Sequence, residues 1–69
     1  MSTKYLLTWE YIDTGEAGSM EYDDLDDAEY DFLMGIAEAA QRGDAYAFTQ
    51  YLYHGTRCIR SYDAEGGMR

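Results

Sequence analysis

The 69-residue chain has no proline, one cysteine and five basic side chains. Without proline there is no proline-rich linker or stalk. With Cys58 alone no internal disulfide forms, which fits a reducing compartment. The cysteine and histidine spacings of a zinc site are missing, and so is a glycine-rich phosphate loop. No apolar run approaches the roughly 20 residues of a membrane span. The first residues carry no charged-then-apolar export pattern. The expected location is the cytoplasm.

Positive charge is the scarcest property of all. Between Lys4 and Arg42 no basic residue occurs. The same stretch holds eleven acids: Glu10, Asp13, Glu16, Glu21, Asp23, Asp24, Asp26, Asp27, Glu29, Asp31 and Glu38. The whole chain has 14 acids and a formal net charge of -9, so the charge is concentrated. Such a field repels nucleic acid and acidic membranes, and direct binding of either is not expected. It attracts basic surfaces, of which nucleic-acid-binding channels are the commonest concave kind.

What is present argues for a folded domain. Hydrophobic residues make up 46% of the chain, which is too many for an acidic disordered segment. Eight tyrosines, Trp9, Phe32 and Phe48 supply aromatic bulk for a small core. Residues 1–69 read as one domain, with 63–69 a flexible tail. A chain of this size buries only about 60% of its unfolded surface and is marginal without other support.

Tyr5 to Ile12 reads as a strand, with Tyr5, Leu7, Trp9 and Tyr11 on one face. A turn over 13–18 can use Gly15 and Gly18 for positive φ. Ser19 to Tyr22 reads as a short returning strand of poor quality, or as an extended arm. A helix follows, capped by Asp24, or by Asp26 with Glu29 as a capping box. Its core face is Leu25, Ala28, Phe32, Ile36 and Ala39, flanked by Leu33 and Ala40, and Gly43 stops it. Ala45 to His54 reads as a strand, His54-Gly55 as a hairpin turn and Thr56 to Tyr62 as its return. The alternative for 44–55 is a second helix capped by Asp44. The expected fold is α+β: a small antiparallel sheet in ββαββ order with one helix across one face. The other sheet face, rich in tyrosine, is a candidate homodimer surface.

Asp23, Asp27, Asp31 and Glu38, with Tyr30 and Met34 among them, are expected on the helix face opposite the core. Side chains four apart have Cβ atoms roughly 5–6 Å apart, a scale comparable to successive phosphates. A solvated helix face normally mixes signs, and here Asp23, Asp27 and Asp31 have no Lys or Arg four residues away. Like charges at that spacing cost a few tenths of a kcal/mol each. The row is therefore read as a phosphate-mimicking surface. The candidate partner-binding residues are Glu16, Glu21, Asp23, Asp24, Asp27, Tyr30, Asp31, Met34 and Glu38, with Tyr22 as a further apolar contact. Asp23 to Asp27 lack the alternating ligand spacing of a calcium loop. No metal, cofactor or catalytic residue is expected, and a pocket to perturb a catalytic pKa has little room. His54 reads as a turn residue and Cys58 as a small core residue. Lys4, Arg42, Arg57 and Arg60 are expected to pair with nearby acids rather than to form a basic patch.

In size and charge the chain resembles the small acidic DNA-mimic inhibitors made by phages, of the anti-CRISPR type. Glu21 to Asp31 carry most of the likeness, which is compositional. These inhibitors share no common fold, so no residue role is transferred by position. The resemblance implies a non-enzymatic inhibitor of a host CRISPR effector or nuclease, acting inside the bacterial cell. The alternatives are a small assembly protein that homodimerises through its Tyr-rich sheet face, and an accessory subunit of an enzyme.

Overall fold

A computed structural model describes residues 4–43, 45–63 and 67–68. The elements in order are β1 (Tyr5–Tyr11), β2 (Glu16–Tyr22), α1 (Leu25–Gln41), one 3-10 turn (Ala45–Ala47), β3 (Phe48–His54), β4 (Arg57–Asp63) and the two-residue β5 (Gly67–Met68). The strands form one antiparallel sheet in the order β2-β1-β3-β4-β5. The fold is α+β, in ββαββ order before the short final strand, with α1 laid across one sheet face.

Period-two alternation sorts the sheet side chains. Leu7 and Tyr11 of β1, and Phe48, Gln50 and Leu52 of β3, face the helix and are buried. From the helix come Ala28, Phe32 and Ala39, with Leu25 and Ile36 partly buried beside them. Small residues at 28 and 39 let the helix approach the sheet closely, while Phe32 fills the gap between. Leu33 and Ala40, expected as flanks, are exposed.

Asp24 is the N-cap of α1. Its Oδ1 accepts from the Asp26 N–H at 3.0 Å, satisfying one of the helix's unpaired donors. The Asp26-Glu29 capping box does not form. Asp26 lies inside the first turn, and Glu29 instead meets Arg60 Nη2 at 2.8 Å. Gly43, at φ +77, ends the helix in the left-handed conformation.

Several boundaries differ from expectation. The first turn is shorter than 13–18, and β2 is a full seven-residue strand. Gly18 lies within it, directly opposite Trp9, and a Cβ there would meet the indole at 2.6 Å. Its smallness serves close packing rather than positive φ. Within 44–55 the described residues make a 3-10 turn and then a strand, not a second helix. Asp44, the cap of that alternative, lies outside the described residues. The second hairpin turns at Gly55-Thr56, with Gly55 at φ +66. His54 closes β3 and stacks on Tyr5 at 4.5 Å. Residue 63 belongs to β4, and Gly67–Met68 pair with Tyr62 and Asp63. The rest of the expected tail, 64–66 and 69, lies outside the described residues.

The register slips between Leu52 and Tyr53, leaving Ile59 as an extra residue in β4. Such a bulge lets neighbouring side chains point the same way. Ile59 packs on the core while Arg60 reaches Glu29. Cys58 is exposed rather than a core residue, because its register places it beside Tyr53 on the face away from α1.

Gln50 is the buried polar side chain of this core, 1% exposed. Its Nε2 donates to the Phe32 carbonyl at 2.5 Å. Gly35 makes room for it, since a Cβ there would lie 2.3 Å from Gln50 Oε1. Mid-helix glycine costs about 1 kcal/mol relative to alanine. Gly35→Ala should nevertheless lower stability, because it drives the amide off its carbonyl in a buried site. Urea unfolding of the variant checks this, and a stabilised variant would show that Gln50 moves aside without cost.

Candidate partner-binding surface

At about 100° per residue, Asp27, Asp31, Met34 and Glu38 fall on a flank of α1 rather than on its outermost face. This corrects the expectation that they lie opposite the core. The flank looks towards β2. Tyr22, the last residue of β2, donates its hydroxyl to Asp31 Oδ2 at 2.5 Å and ties the two elements together. Further along, helix and sheet edge diverge. They leave an open groove of about 790 Å³. Trp9 and Tyr11 line its sheet side, Met20 and Glu16 its β2 side, and Asp31, Met34, Gly35 and Glu38 its helix side.

The other expected site residues divide clearly. Asp23 is exposed in the bend before the helix, and Asp24 is occupied as the N-cap. Tyr30 projects outward and is 64% exposed. Glu21 does not join the group, because its register opposite Leu6 puts it on the far sheet face. The segment before the helix is a turn followed by β2. There the Tyr46 hydroxyl donates to Asp13.

Trp9, Met20 and Arg42 also line the groove and were not among the sequence candidates. The one available signal was Gly35, since a glycine inside a helical pattern marks a close approach. Arg42 closes one end. Its guanidinium lies 4.2 Å above the Tyr11 ring centroid, and Nη2 is 3.5 Å from Glu16 Oε1. Arg42 and Arg60 therefore both pair with acids of the same chain, as expected.

The Tyr22 phenol is pushed up to about 12. Burial contributes most, followed by the hydrogen bond to Asp31 and the charges of Asp31 and Asp27. A phenol whose folded pKa lies above its ordinary value of 10.0 binds its proton more tightly when folded. Its contribution is fully present below pH 10 and is lost as pH rises through about 12. After discounting for solvent screening the effect is about 1 kcal/mol. Melting curves at rising alkaline pH should show a steeper loss for the native chain than for Tyr22→Phe. Parallel curves would mean that the Tyr22–Asp31 contact does not hold the edge strand to the helix.

No group of three or more metal-ligating side chains gathers among the described residues. None of their helices is long and apolar enough to cross a membrane. On the sheet face away from α1, Leu6, Thr8, Tyr51 and Tyr53 are half-buried with no element over them among the described residues, and the two tyrosine rings lie 6.5 Å apart. Comparison of the chain with known protein families, characterised proteins and solved structures found no match to any of them.

Proposed function

We propose that this protein is a non-enzymatic inhibitor that occupies the basic nucleic-acid-binding surface of a partner protein or complex, such as a CRISPR effector or another nuclease. The observation that carries the reading is the eleven-acid stretch without a base, with Asp27, Asp31 and Glu38 aligned on one helix flank. Carboxylates there would pair with the Lys and Arg that otherwise hold phosphates, while Tyr22, Tyr30 and Met34 would add apolar contact. Met34 and Tyr30 are 49% and 64% exposed, more than a purely solvated face requires. The protein would act in the cytoplasm of a bacterial cell and would not itself bind nucleic acid.

Capture from a bacterial lysate, with and without nuclease, tests this. An inhibitor of this kind recovers nucleic-acid-binding proteins in both cases. Recovery that vanishes with nuclease would mean that nucleic acid bridges the two, and would overturn the reading.

A second reading is homodimerisation through the uncovered Tyr51–Tyr53 sheet face. The half-buried pair of rings, with no element over it among the described residues, favours it. Sedimentation equilibrium distinguishes the two: a dimer broken by Tyr51→Lys supports assembly, and a monomer removes it.

A further inference from the structure

The groove between α1 and β2 has its own chemistry, and the chain itself provides the example. Arg42 places a guanidinium on the face of Tyr11 beside the carboxylate of Glu16. The remaining length repeats the same parts. Trp9, two residues before Tyr11, offers a larger aromatic surface. Met20 of β2 and Met34 of α1 both line it as pliant apolar side chains, and Asp31 and Glu38 line it from the helix. Glu38 makes no side-chain hydrogen bond or ion pair among the described residues. Its lining holds three acids, Glu16, Asp31 and Glu38, and one base, Arg42.

We propose that this groove takes an arginine side chain from the partner, stacking its guanidinium on Trp9 and pairing it with Glu38. Three properties select arginine. A planar guanidinium stacks on an indole and pairs with a carboxylate at the same time, which a compact ammonium does not. The aliphatic stem suits a cleft walled by methionines. The acids on the rim match the charge. The inference rests on the proposed function only for the source of the arginine; the groove's preference stands separately.

The test uses hexa-arginine and hexa-lysine peptides, equal in charge, titrated into the full chain at about 150 mM salt, where plain surface attraction is screened. Trp9 is the only tryptophan, so its fluorescence reports the groove directly. Methyl resonances of Met20 and Met34 give a second readout. Hexa-arginine should bind about 5- to 10-fold more tightly than hexa-lysine, and should shift all three signals together. Glu38→Gln should remove most of that preference. Glu10→Gln changes the charge equally on the far sheet face and should leave the preference intact.

Equal affinity for the two peptides, or equal effects of the two substitutions, would reduce the groove to general electrostatics and overturn the proposal. The outcomes also separate it from the inhibitor reading. Arginine-selective binding with no nucleic-acid-binding protein captured from lysate keeps the groove and removes the inhibitor. Capture that Glu38→Gln leaves unaltered, with no peptide preference, does the reverse.

Discussion

Phe32→Ala should leave the chain largely unfolded at room temperature. Phe32 is 1% exposed and packs against Leu7, Ala28 and Leu52, where helix and sheet meet. Truncating a buried phenylalanine costs about 3–5 kcal/mol, part of it for the cavity left behind. Marginal stability scales at roughly 0.05–0.15 kcal/mol per residue. For so short a chain the loss is comparable to the whole. Far-UV circular dichroism with a urea titration reads it. Leu33→Ala is the control, because Leu33 is 53% exposed, and its cost should stay within about 0.5 kcal/mol. A stable Phe32→Ala together with an unfolded Leu33→Ala would mean that the helix packs by the other face.

Reversing the charge at Asp27 and Glu38, both to lysine, should nearly abolish binding to the basic partner. Both side chains are exposed on the helix flank. Asp31 is left alone because its carboxylate holds Tyr22. Electrostatic steering changes association rates by about 10- to 1,000-fold, so the loss should appear first in the on-rate. The unmodified protein should also lose affinity steeply between about 50 and 200 mM salt, as phosphate contacts do. Surface plasmon resonance at several salt concentrations measures both effects. An affinity that stays flat with salt and survives the double reversal would move the interface to an apolar surface such as the tyrosine-bearing sheet face.

How legible this surface was in the sequence depended on range. The core stripe of α1 could be read because Leu25, Ala28, Phe32, Ile36 and Ala39 recur at helical spacing and local geometry decides their common face. The direction of the acidic row could not. Asp27, Asp31 and Glu38 lie to one side of that stripe, and only the position of β2 determines whether they meet solvent or overhang a groove. The strand itself was underestimated for a related reason. Glu16, Ala17 and Gly18 have weak strand preference. Pairing of all seven residues with β1 holds them extended, and the Trp9 indole covers the glycine. The bulge at Ile59 was also invisible locally, since a register slip is a property of two strands. Arg42 was expected to pair with an acid, but nothing near it in sequence pointed to Tyr11 or Glu16.

Displacement is the most direct test of the central claim, that this acidic flank stands in for nucleic acid. A nucleic-acid-binding protein captured by the chain is loaded with a fluorescent duplex, and the chain is added while anisotropy is followed. The account predicts release of the duplex with mutually exclusive binding, and no release by the Asp27→Lys, Glu38→Lys double variant. A stable ternary complex that keeps the duplex bound would contradict it.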